Sequence, residues 1–446
     1  MTTATLDPVV AFRNHALKLT LEWCKSRSPF YKDRFAHIQN FSGLEDLHKL
    51  PILRRDDVVK NRDAISCHPG PPACFQFTTG TTGTFLPLYR SAEEVQFISD
   101  FYSRRITEQF DFQRPRPLCM SIISAYHGAS TPMPSAAYIL TVGAYDRSQA
   151  ETAKNLLQRT FNFPGVESRV SALIGFDILI KALTAYLVAE GVPLRSLGVR
   201  QIYTTGGYMS PATKLRLAEL WHANVHDRLS MSEIFGGATE MYAGGPWVFD
   251  VEAVPEVVHP TTLKPVRKGV GALLMTSLYP FSQMSPMIRY DTGDLVEVVD
   301  ETSAFEGNLI VRFRGRRRRS IINTDGEEVE PLVLSTDLAD TVEMWPDIAI
   351  TPHFTYIKDK AVAEFVGKPH CELSAALSER AGSISIKLGL RYSPWLFPER
   401  ATQIKTEFAR TLIDRSPSLA RGIQEGRLTL QIDLASADQV ATYSTE

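Results

Sequence analysis

Apolar positions along the chain follow two spacings, one typical of helices and one typical of buried strands. Residues 118–125 form a compact apolar run, which predicts a buried parallel strand. Residues 172–175 form a second apolar run, and helical spacing over 177–190 with Gly191 behind it predicts the following helix. Strands that alternate with helices in this way are typical of an α/β protein with a parallel sheet.

The next part of the chain continues this order and then changes. Residues 201–207 predict a strand followed by a glycine turn. Ser210-Pro211 predicts the start of a helix to Trp221, because serine caps helices and proline is favoured in their first position. From residue 248 the valine-rich sequence predicts β-hairpins, and a long helix is expected over 402–413.

These patterns predict an α/β fold with two domains. A chain of 446 residues is too long for one simple core. We expect a large N-terminal domain, residues 1–315, with parallel and mixed sheets and packed helices. A small mobile α+β C-terminal domain is expected over residues 316–446.

The composition argues against several classes of function. Hydrophobic content of 44% and charged content of 22% are ordinary for a globular protein, and a net charge of −2 gives no general attraction to nucleic acid or anionic membranes. The five cysteines form no CxxC pair, which predicts reduced thiols in a cytoplasmic protein. Neither a signal peptide nor a membrane span of about 18 apolar residues is expected.

The most informative stretch is residues 77–84, which read FTTGTTGT. Two glycines among hydroxyl side chains allow backbone N–H and O–H groups to converge on an anionic group such as phosphate. A surface turn rich in threonine and glycine is the alternative interpretation. The stretch lacks the lysine that follows the second glycine in the loop of common nucleotide hydrolases.

Two acidic segments lie further along the chain. Residues 227–233 end in Glu233, whose carboxylate could hold Mg²⁺ against bound phosphates, or could be a solvated group at a helix N-terminus. Residues 288–295 read IRYDTGDL, in which a short acid at a strand end could accept both hydroxyls of a ribose. A plain β-turn that contains aspartate is the alternative for this segment.

Six arginines lie within residues 312–319. Such a run is found in nucleic-acid-binding proteins, but no aromatic platform surrounds it and the net charge is close to zero. A position that faces the phosphates of ATP, of CoA or of a phosphopantetheine arm fits the run better.

The order of these four segments, with Gly-x-x-Val-x-Pro over 326–331 after the arginines, resembles the adenylate-forming ligases. The chain is most similar to the phenylacetate–CoA ligase branch, which is supported by residues 254–258 and 285–290. The resemblance extends loosely over residues 20–335. It implies that a carboxylate attacks the α-phosphate of ATP to give an acyl-adenylate, from which a thiol or another nucleophile then displaces AMP.

The resemblance also implies roles for particular residues. Thr78, Thr79, Gly80, Thr81, Thr82 and Gly83 would bind the β- and γ-phosphates, with Thr78 among the catalytic groups. Glu233 would bind Mg²⁺ and act in catalysis. The adenine and the acyl carboxylate would be lined by Gly206, Gly207, Ser230, Met231 and Ser232. Asp294 would hold the ribose hydroxyls, and Arg316, also among the catalytic groups, would reach them from the hinge. Tyr126, His127 and Gly128 would form part of the acyl pocket together with Gly207, although His127 could equally be a packed core histidine.

The sequence departs from the pattern of the family at several positions. Thr84 stands where the phosphate loop usually ends in lysine, which removes one positive charge from the pyrophosphate site. Tyr208 replaces the glutamate expected after the glycine turn, and Leu229-Ser230 replaces a Tyr-Gly pair. No lysine follows Lys405, although these enzymes normally present one close to the C-terminus.

We therefore expect a cytoplasmic ligase that uses ATP and Mg²⁺ to adenylate a small carboxylic acid. The branch resemblance favours an aromatic or otherwise planar acid, and a thiol such as CoA as the acceptor. An amine, a carrier protein or an inorganic partner such as nitrite is the first alternative for the acceptor. A degenerate member that binds nucleotide without ligase activity is the second.

Overall fold

The computed structural model describes residues 8–38, 40–79, 85–109, 115–122, 138–300, 309–378 and 381–445. Of residues 75–79, 85, 102–109 and 300 it describes the backbone alone. The predicted site residues 80–83 and 126–128, and Thr84, lie outside the described residues.

Helices and strands alternate over residues 138–231 of the described chain. The helices are α1 (Pro8–Arg27), α2 (Pro29–Arg34), α3 (Arg55–Ile65), α4 (Ala92–Gln109), α5 (Arg147–Gln158), α6 (Asp177–Ala189), α7 (Pro211–Trp221), α8 (Ser335–Glu343), α9 (Lys360–Ala363), α10 (Pro398–Arg415) and α11 (Pro417–Gln424). The strands are β1 (Cys74–Thr79), β2 (Phe85–Arg90), β3 (Arg116–Ile122), β4 (Tyr138–Val142), β5 (Val166–Phe176), β6 (Gln201–Thr205), β7 (Asn224–Met231), β8 (Ile234–Glu240), β9 (Trp247–Phe249), β10 (Ala253–Val258), β11 (Gly269–Ser277), β12 (Tyr290–Asp300), β13 (Ile310–Arg316), β14 (Ile321–Asn323), β15 (Glu330–Val333), β16 (Ile350–Pro352), β17 (Gly367–Pro369), β18 (Cys371–Leu377), β19 (Gly382–Leu390) and β20 (Leu428–Ser436).

Eleven strands form one large mixed sheet in the order β10-β11-β12-β13-β9-β8-β7-β6-β5-β3-β4. Strands β3 to β7 pair in parallel, and the pairs from β7 to β10 are antiparallel. The parallel strands need helical crossovers. One of these crossover helices, α6, is apolar on most of its surface, as expected of a helix that is buried on nearly all sides. The sheet therefore has a parallel half and an antiparallel half.

The sequence predicted the main elements of the parallel half. The described part of the run at 118–125 is strand β3, and the helix expected over 177–190 is α6. Helix α7 begins as predicted, since the Ser210 hydroxyl accepts a hydrogen bond of 3.0 Å from the Thr213 N–H. The predicted α/β fold class is confirmed. No helix among the described residues is both long and apolar enough to cross a membrane.

A separate α+β unit follows β13. Its three-stranded sheet, β18-β19-β20, packs with α8, α10 and α11 around a core of its own that includes Ile384, Ile386 and Phe408. The helix expected over 402–413 is α10. This unit matches the predicted α+β character of the C-terminal domain.

One segment of this unit packs into the core beneath α6. We name residues 354–366 the anchor segment. Its buried side chains Phe354, Ile357, Ala363 and Val366 belong to the same apolar core as α6. The Tyr356 hydroxyl within it donates a 2.7 Å hydrogen bond to the Ala144 carbonyl. The unit is thus fixed to the large sheet by an apolar contact.

A second, polar contact joins α8 to the start of α7, and we name it the docking contact. The hydroxyls of Ser210 and Thr213 donate to the carboxylate of Glu343, the latter over 2.7 Å. The Tyr208 hydroxyl donates to Asp340 over 2.8 Å. The docking contact places the C-terminal unit directly beside the glycine turn after β6.

Candidate active site

The tight turn between β7 and β8 presents Glu233. Met231 pairs with Ile234 across the hairpin, so Ser232 and Glu233 form the turn itself, and the alternative of a helix N-terminus is wrong. The Glu233 side chain is only 10% exposed. The Tyr290 hydroxyl donates to its Oε1 over 3.1 Å, and Arg55 Nη1 lies 3.5 Å from the same oxygen. Burial and the neighbouring Glu233 charge raise the pKa of Tyr290, which keeps its hydroxyl a donor.

A buried ion pair fixes the backbone of this turn. Arg90 Nη2 donates to the Ser232 carbonyl over 3.3 Å, while Nη1 lies 2.5 Å from Glu94. Glu94 is 1% exposed, and its other oxygen accepts the backbone N–H groups of Gln283 and Met284. A buried carboxylate with three donors is well compensated, so the network holds the position of Glu233 firmly.

Arg55 reaches Glu233 because its segment is bonded to the start of β12. The Leu53 N–H donates to the Arg289 carbonyl over 3.0 Å, and the Asp291 N–H donates to the Leu53 carbonyl over 2.9 Å. Arg289 adopts a left-handed backbone with φ of 52°, and its buried guanidinium pairs with Glu256. These bonds place the first residue of α3 beside Tyr290.

Asp294 lies within β12, so the prediction of a strand end is wrong. Gly293, with φ of 76°, and a register shift after Leu295 bend the strand here and aim the acid at β13. Asp294 pairs in register with Arg316, whose Nη1 lies 2.9 Å from Asp294 Oδ1. The acid is 2% exposed.

The Asp294 carboxylate is only partly satisfied. Arg316 Nη1 directs its hydrogen bond to the Thr292 carbonyl over 3.0 Å, and Asp294 Oδ1 is buried without a well-directed donor among the described residues. Burial raises the pKa of Asp294, and Arg316 opposes that rise. The charge of Glu233 adds to the rise, so the two acids share one electrostatic environment. A buried acceptor with spare capacity fits a ligand that brings hydroxyl donors.

Four of the six arginines in the run are paired with acids. This pairing does not support the expectation that these four face phosphates. Arg312 and Arg314 contact Glu297, and Arg317 lies 2.8 Å from Asp291. Arg316 pairs with Asp294, as described above. Arg312, Arg314 and Arg316 belong to β13, so the run continues the large sheet.

The glycine turn lies beside the β7–β8 turn. Gly206 has φ of 104°, and a Cβ there would lie 2.5 Å from the Phe176 ring, so this position requires glycine. Thr205 Oγ1 lies 2.6 Å from Ser230 Oγ, because β6 and β7 pair in parallel. Gly206, Gly207, Ser230, Met231 and Ser232 therefore meet at the carboxyl edge of the parallel strands, where open α/β sheets bind ligands.

The structure places the remaining predicted residues as far as it describes them. Thr78 and Thr79 are the last residues of β1, which pairs antiparallel with β2. In the part of the chain that the structure describes, no group of three His, Cys, Asp or Glu side chains could hold a metal ion. Mg²⁺ does not need such a group, because it is commonly bound by one or two carboxylates, with substrate phosphates and water as its other ligands, and Glu233 would be one such carboxylate.

The sequence motifs did not point to three residues of the site. Arg55 and Arg90 lie outside the four segments, and they reach Glu233 and Ser232 only through tertiary contacts. Tyr290 lies inside the third segment, where the aspartate was given the role. Its neighbour Arg289, buried in a strained backbone conformation, marks that stretch as structurally constrained.

The fold matches that of the adenylate-forming ligases, with one large mixed sheet and a separate α+β unit. Phenylacetate-coenzyme A ligase of Escherichia coli strain K12 is 24% identical over 321 residues, which is 68% of this chain and 70% of that protein. No protein-family model matches the chain.

Solved structures give the same result for the fold. An open conformation of 2-hydroxyisobutyryl-CoA ligase, in complex with 2-HIB-AMP and CoA, has a TM-score of 0.66 and 16% identity, with 97% of this chain and 88% of that chain covered. O-succinylbenzoate coenzyme A synthetase from Bacillus subtilis, in complex with ATP and magnesium ion, has a TM-score of 0.50 and 13% identity over 81% of this chain and 65% of that chain. The predicted resemblance is confirmed: the chain is similar in sequence to phenylacetate-coenzyme A ligase and in fold to 2-hydroxyisobutyryl-CoA ligase.

Proposed function

We propose that this protein adenylates a small carboxylic acid with ATP and transfers the acyl group to CoA. The observation that carries the proposal is the Asp294 carboxylate, which is buried beside Arg316 and lacks a well-directed donor on Oδ1. A ribose offers two adjacent hydroxyl donors to such an acid. The similarity to phenylacetate-coenzyme A ligase and the fold of 2-hydroxyisobutyryl-CoA ligase support the nature of the reaction.

In the first step, a carboxylate oxygen of the acid attacks the α-phosphorus of ATP. The bond from the α-phosphorus to the bridging oxygen breaks, and pyrophosphate leaves with the bonding electrons. Glu233 would hold Mg²⁺, which supplies positive charge to the phosphates when bound. Asp294 and Arg316 would hold the ribose, so that the chain contributes positioning and charge neutralisation.

The other predicted residues take their places around these acids. Thr78, Thr79 and residues 80–83 would bind the β- and γ-phosphates. Gly206, Gly207, Ser230, Met231 and Ser232 would line the adenine and the acyl carboxylate. Residues 126–128, which follow β3, would form part of the acyl pocket.

In the second step, the thiol sulfur of CoA attacks the acyl carbonyl and AMP leaves with its phosphate oxygen. The thiol proton passes to AMP or to water. We place the boundary between the ATP- and acyl-binding domain and the C-terminal domain at Gly315–Arg316. In support, Gly315 has φ of 91°, and a Cβ there would lie 1.9 Å from Ser335 Oγ, so only glycine fits this junction.

The decisive experiment is AMP and pyrophosphate release from ATP and Mg²⁺ across a panel of aryl and short-chain acids, with and without CoA. We expect release that depends on one acid and is accelerated by CoA. Acid-dependent release that is indifferent to CoA would point to an amine, a carrier protein or nitrite as acceptor. ATP binding without release for any acid would favour the degenerate nucleotide binder.

Replacing Glu233 tests the metal role. Glu233→Ala is expected to abolish Mg²⁺-dependent AMP release, because the only protein ligand assigned to the ion is removed. The exposed Glu327→Ala serves as the control and should leave the rate unchanged. Wild-type turnover by Glu233→Ala would refute the assignment.

Replacing Asp294 tests the ribose role. Asp294→Ala is expected to weaken ATP binding by about 100-fold, since two hydrogen bonds to a charged acceptor are lost. Isothermal titration calorimetry measures the affinity, and the exposed Asp325→Ala is the matched control. An unaltered ATP affinity in Asp294→Ala would contradict the role.

A further inference from the structure

Lys214 is a buried cation that no part of the proposed reaction uses. It lies in the first turn of α7 and is only 1% exposed. Its ammonium nitrogen lies 2.5 Å from Glu240 Oε2 of β8 and 3.2 Å from Asp227 Oδ2 of β7. These acids are 4% and 2% exposed. Lysine is rarely buried so deeply unless it is paired, and the three residues form one unit that we name the ion cluster.

Asp227 connects the ion cluster to the other end of the glycine turn. Its Oδ1 atom accepts a 3.0 Å hydrogen bond from the hydroxyl of Thr204, which lies in β6 two residues before Gly206. Lys214 lies beyond the turn, in the helix that Ser210 caps. The strand before the turn and the helix after it therefore meet at one carboxylate.

The ion cluster also spans the hairpin of β7 and β8. Asp227 lies in β7, three residues before Ser230, and Glu240 is the last residue of β8. The other oxygen of Glu240, Oε1, accepts the Gly244 N–H over 2.9 Å, so this acid is held from two sides. One ammonium group thus links α7 with both strands of the hairpin and, through Asp227, with β6.

These links bear on the cleft between the glycine turn and the β7–β8 turn. The proposed function assigns the adenine and the acyl carboxylate to Gly206, Gly207 and residues 230–232. A backbone with two adjacent glycines has many accessible conformations, so a fixed cleft needs a restraint at each end of the turn. Thr204 supplies the restraint before the turn, and Lys214 supplies the restraint after it.

We propose that Lys214 is a positioning residue, which holds the glycine turn at the distance from the β7–β8 turn that the nucleotide requires. This inference rests on the proposed function. Lys214 acts through Asp227, through Glu240 and through the position of α7, and it need not touch the nucleotide. A displacement of the turn by about 1 Å is enough to weaken the contacts of a bound ligand strongly.

The test is AMP binding, measured by isothermal titration calorimetry on the full chain, because AMP carries the adenine and needs neither the acid nor CoA. Lys214→Met keeps the length of the side chain and removes its charge. We expect the dissociation constant for AMP to rise about tenfold while the stoichiometry of binding stays unchanged. A lower stoichiometry with unchanged affinity would show that Lys214 serves folding alone, and would overturn the inference.

The cost of burying two acids without their cation is the main risk for this variant. If Lys214→Met does not fold, the double variant Lys214→Met/Glu240→Gln removes one charge of each sign and replaces it in the same measurement. The expected rise in the AMP constant is again about tenfold. An AMP constant within about twofold of wild type in the variant that folds would overturn the inference.

Lys154→Met is the matched control. The Lys154 side chain is 16% exposed, and its ammonium group pairs with Glu151 of α5 and with Glu190, the residue after α6. This change removes a paired lysine that lies outside the ion cluster. It should leave the AMP constant within about twofold of wild type.

Thr204 offers a second readout, because one of its variants keeps the hydroxyl group. Thr204→Val removes the hydrogen bond to Asp227 at nearly constant volume and should raise the AMP constant about fivefold. Thr204→Ser keeps the donor and should stay within about twofold of wild type. Equal weakening by the two variants would show that the hydroxyl does not restrain the turn, and would contradict the inference.

The two proposals fail in different ways. Wild-type protein that binds neither ATP nor AMP would overturn the proposed function and this inference together. Wild-type protein that binds AMP with an affinity that Lys214→Met and Thr204→Val leave unchanged would overturn the inference alone.

Discussion

The C-terminal unit meets the large sheet through two contacts of opposite chemistry. The anchor segment buries Phe354, Ile357 and Val366 beneath α6, in a core that excludes water. The docking contact joins hydroxyl groups of α7 and its preceding turn to Asp340 and Glu343 of α8. Breaking the first contact exposes apolar surface, whereas breaking the second exchanges protein hydrogen bonds for bonds to water.

This difference bears on how the unit can move. A contact of hydroxyls and carboxylates can open at a small net cost, so the docking contact is expected to separate more readily than the anchor segment. The anchor segment cannot leave its core without a large loss of stability. If the C-terminal domain is mobile as predicted, α8 and its neighbours should move at a lower cost in free energy than residues 354–366. The substitutions below test this contrast.

The largest effect is expected from Phe354→Ala. The ring is buried and lies against Tyr145 and Tyr356, so its loss leaves a cavity and should reduce the free energy of unfolding by about 3–5 kcal/mol. Denaturant unfolding measures the change. Trp395→Ala, at a 77% exposed aromatic of the same unit, is the control and should cost less than about 0.5 kcal/mol. Equal costs for the two variants would remove the distinction of the anchor segment.

A pH dependence of intermediate size is expected at the docking contact. Burial raises the pKa of Asp340 to about 6, while the Tyr208 hydroxyl and Arg415 oppose the rise and Asp337 and Glu343 add to it. The protonated acid is therefore favoured in the folded protein. The contribution of Asp340 to the free energy of unfolding is complete below about pH 4 and is lost as the pH rises through about 6.

The measurement is the free energy of unfolding between pH 4 and pH 7. Wild type should lose stability relative to Asp340→Asn, on the order of 2 kcal/mol across this range, since asparagine carries no charge there. The exposed Asp325→Asn should follow the wild-type profile. Parallel profiles for wild type and Asp340→Asn would contradict the raised pKa.

The smallest effect is expected from Glu343→Ala. Two buried hydroxyl groups lose their acceptor, but the Glu343 side chain is itself partly exposed, so water can take its place and the cost should be about 1 kcal/mol. Hydrogen exchange should become faster in the first turn of α7 and remain unchanged in α6, which the anchor segment covers. Glu219→Ala, an exposed residue of α7, should change neither helix. Faster exchange in α6 would show that the two contacts open together.

The sequence predicted what depends on local pattern. Apolar spacing predicted strand β3 and helix α6, and capping chemistry predicted the role of Ser210. Gly206 predicted the turn after β6, because its backbone conformation there requires glycine. The resemblance placed Glu233 and Asp294 in the candidate site. Asp294 lies within a strand and not at its end, and there it pairs in register with Arg316 of β13, beside a bulge.

The rest depends on contacts between distant parts of the chain. Arg55 and Arg90 reach the β7–β8 turn from elements that precede it by many residues, and no spacing in the sequence records that approach. No sequence pattern marks the anchor segment, since its apolar side chains meet their partners in α6 only after the fold is complete. The acids that pair with the arginine run likewise lie on the neighbouring strand β12 and on α8.

The bond between Leu53 and β12 also sets an order of events during synthesis. Arg55 cannot take its place until Arg289 and Asp291 have left the ribosome, because the backbone of these two residues holds Leu53. At typical translation rates that delay is on the order of tens of seconds. During this time α1, α2 and α3 lack the strands they cover, and their apolar faces, including Leu17 and Tyr31, remain open to chaperones.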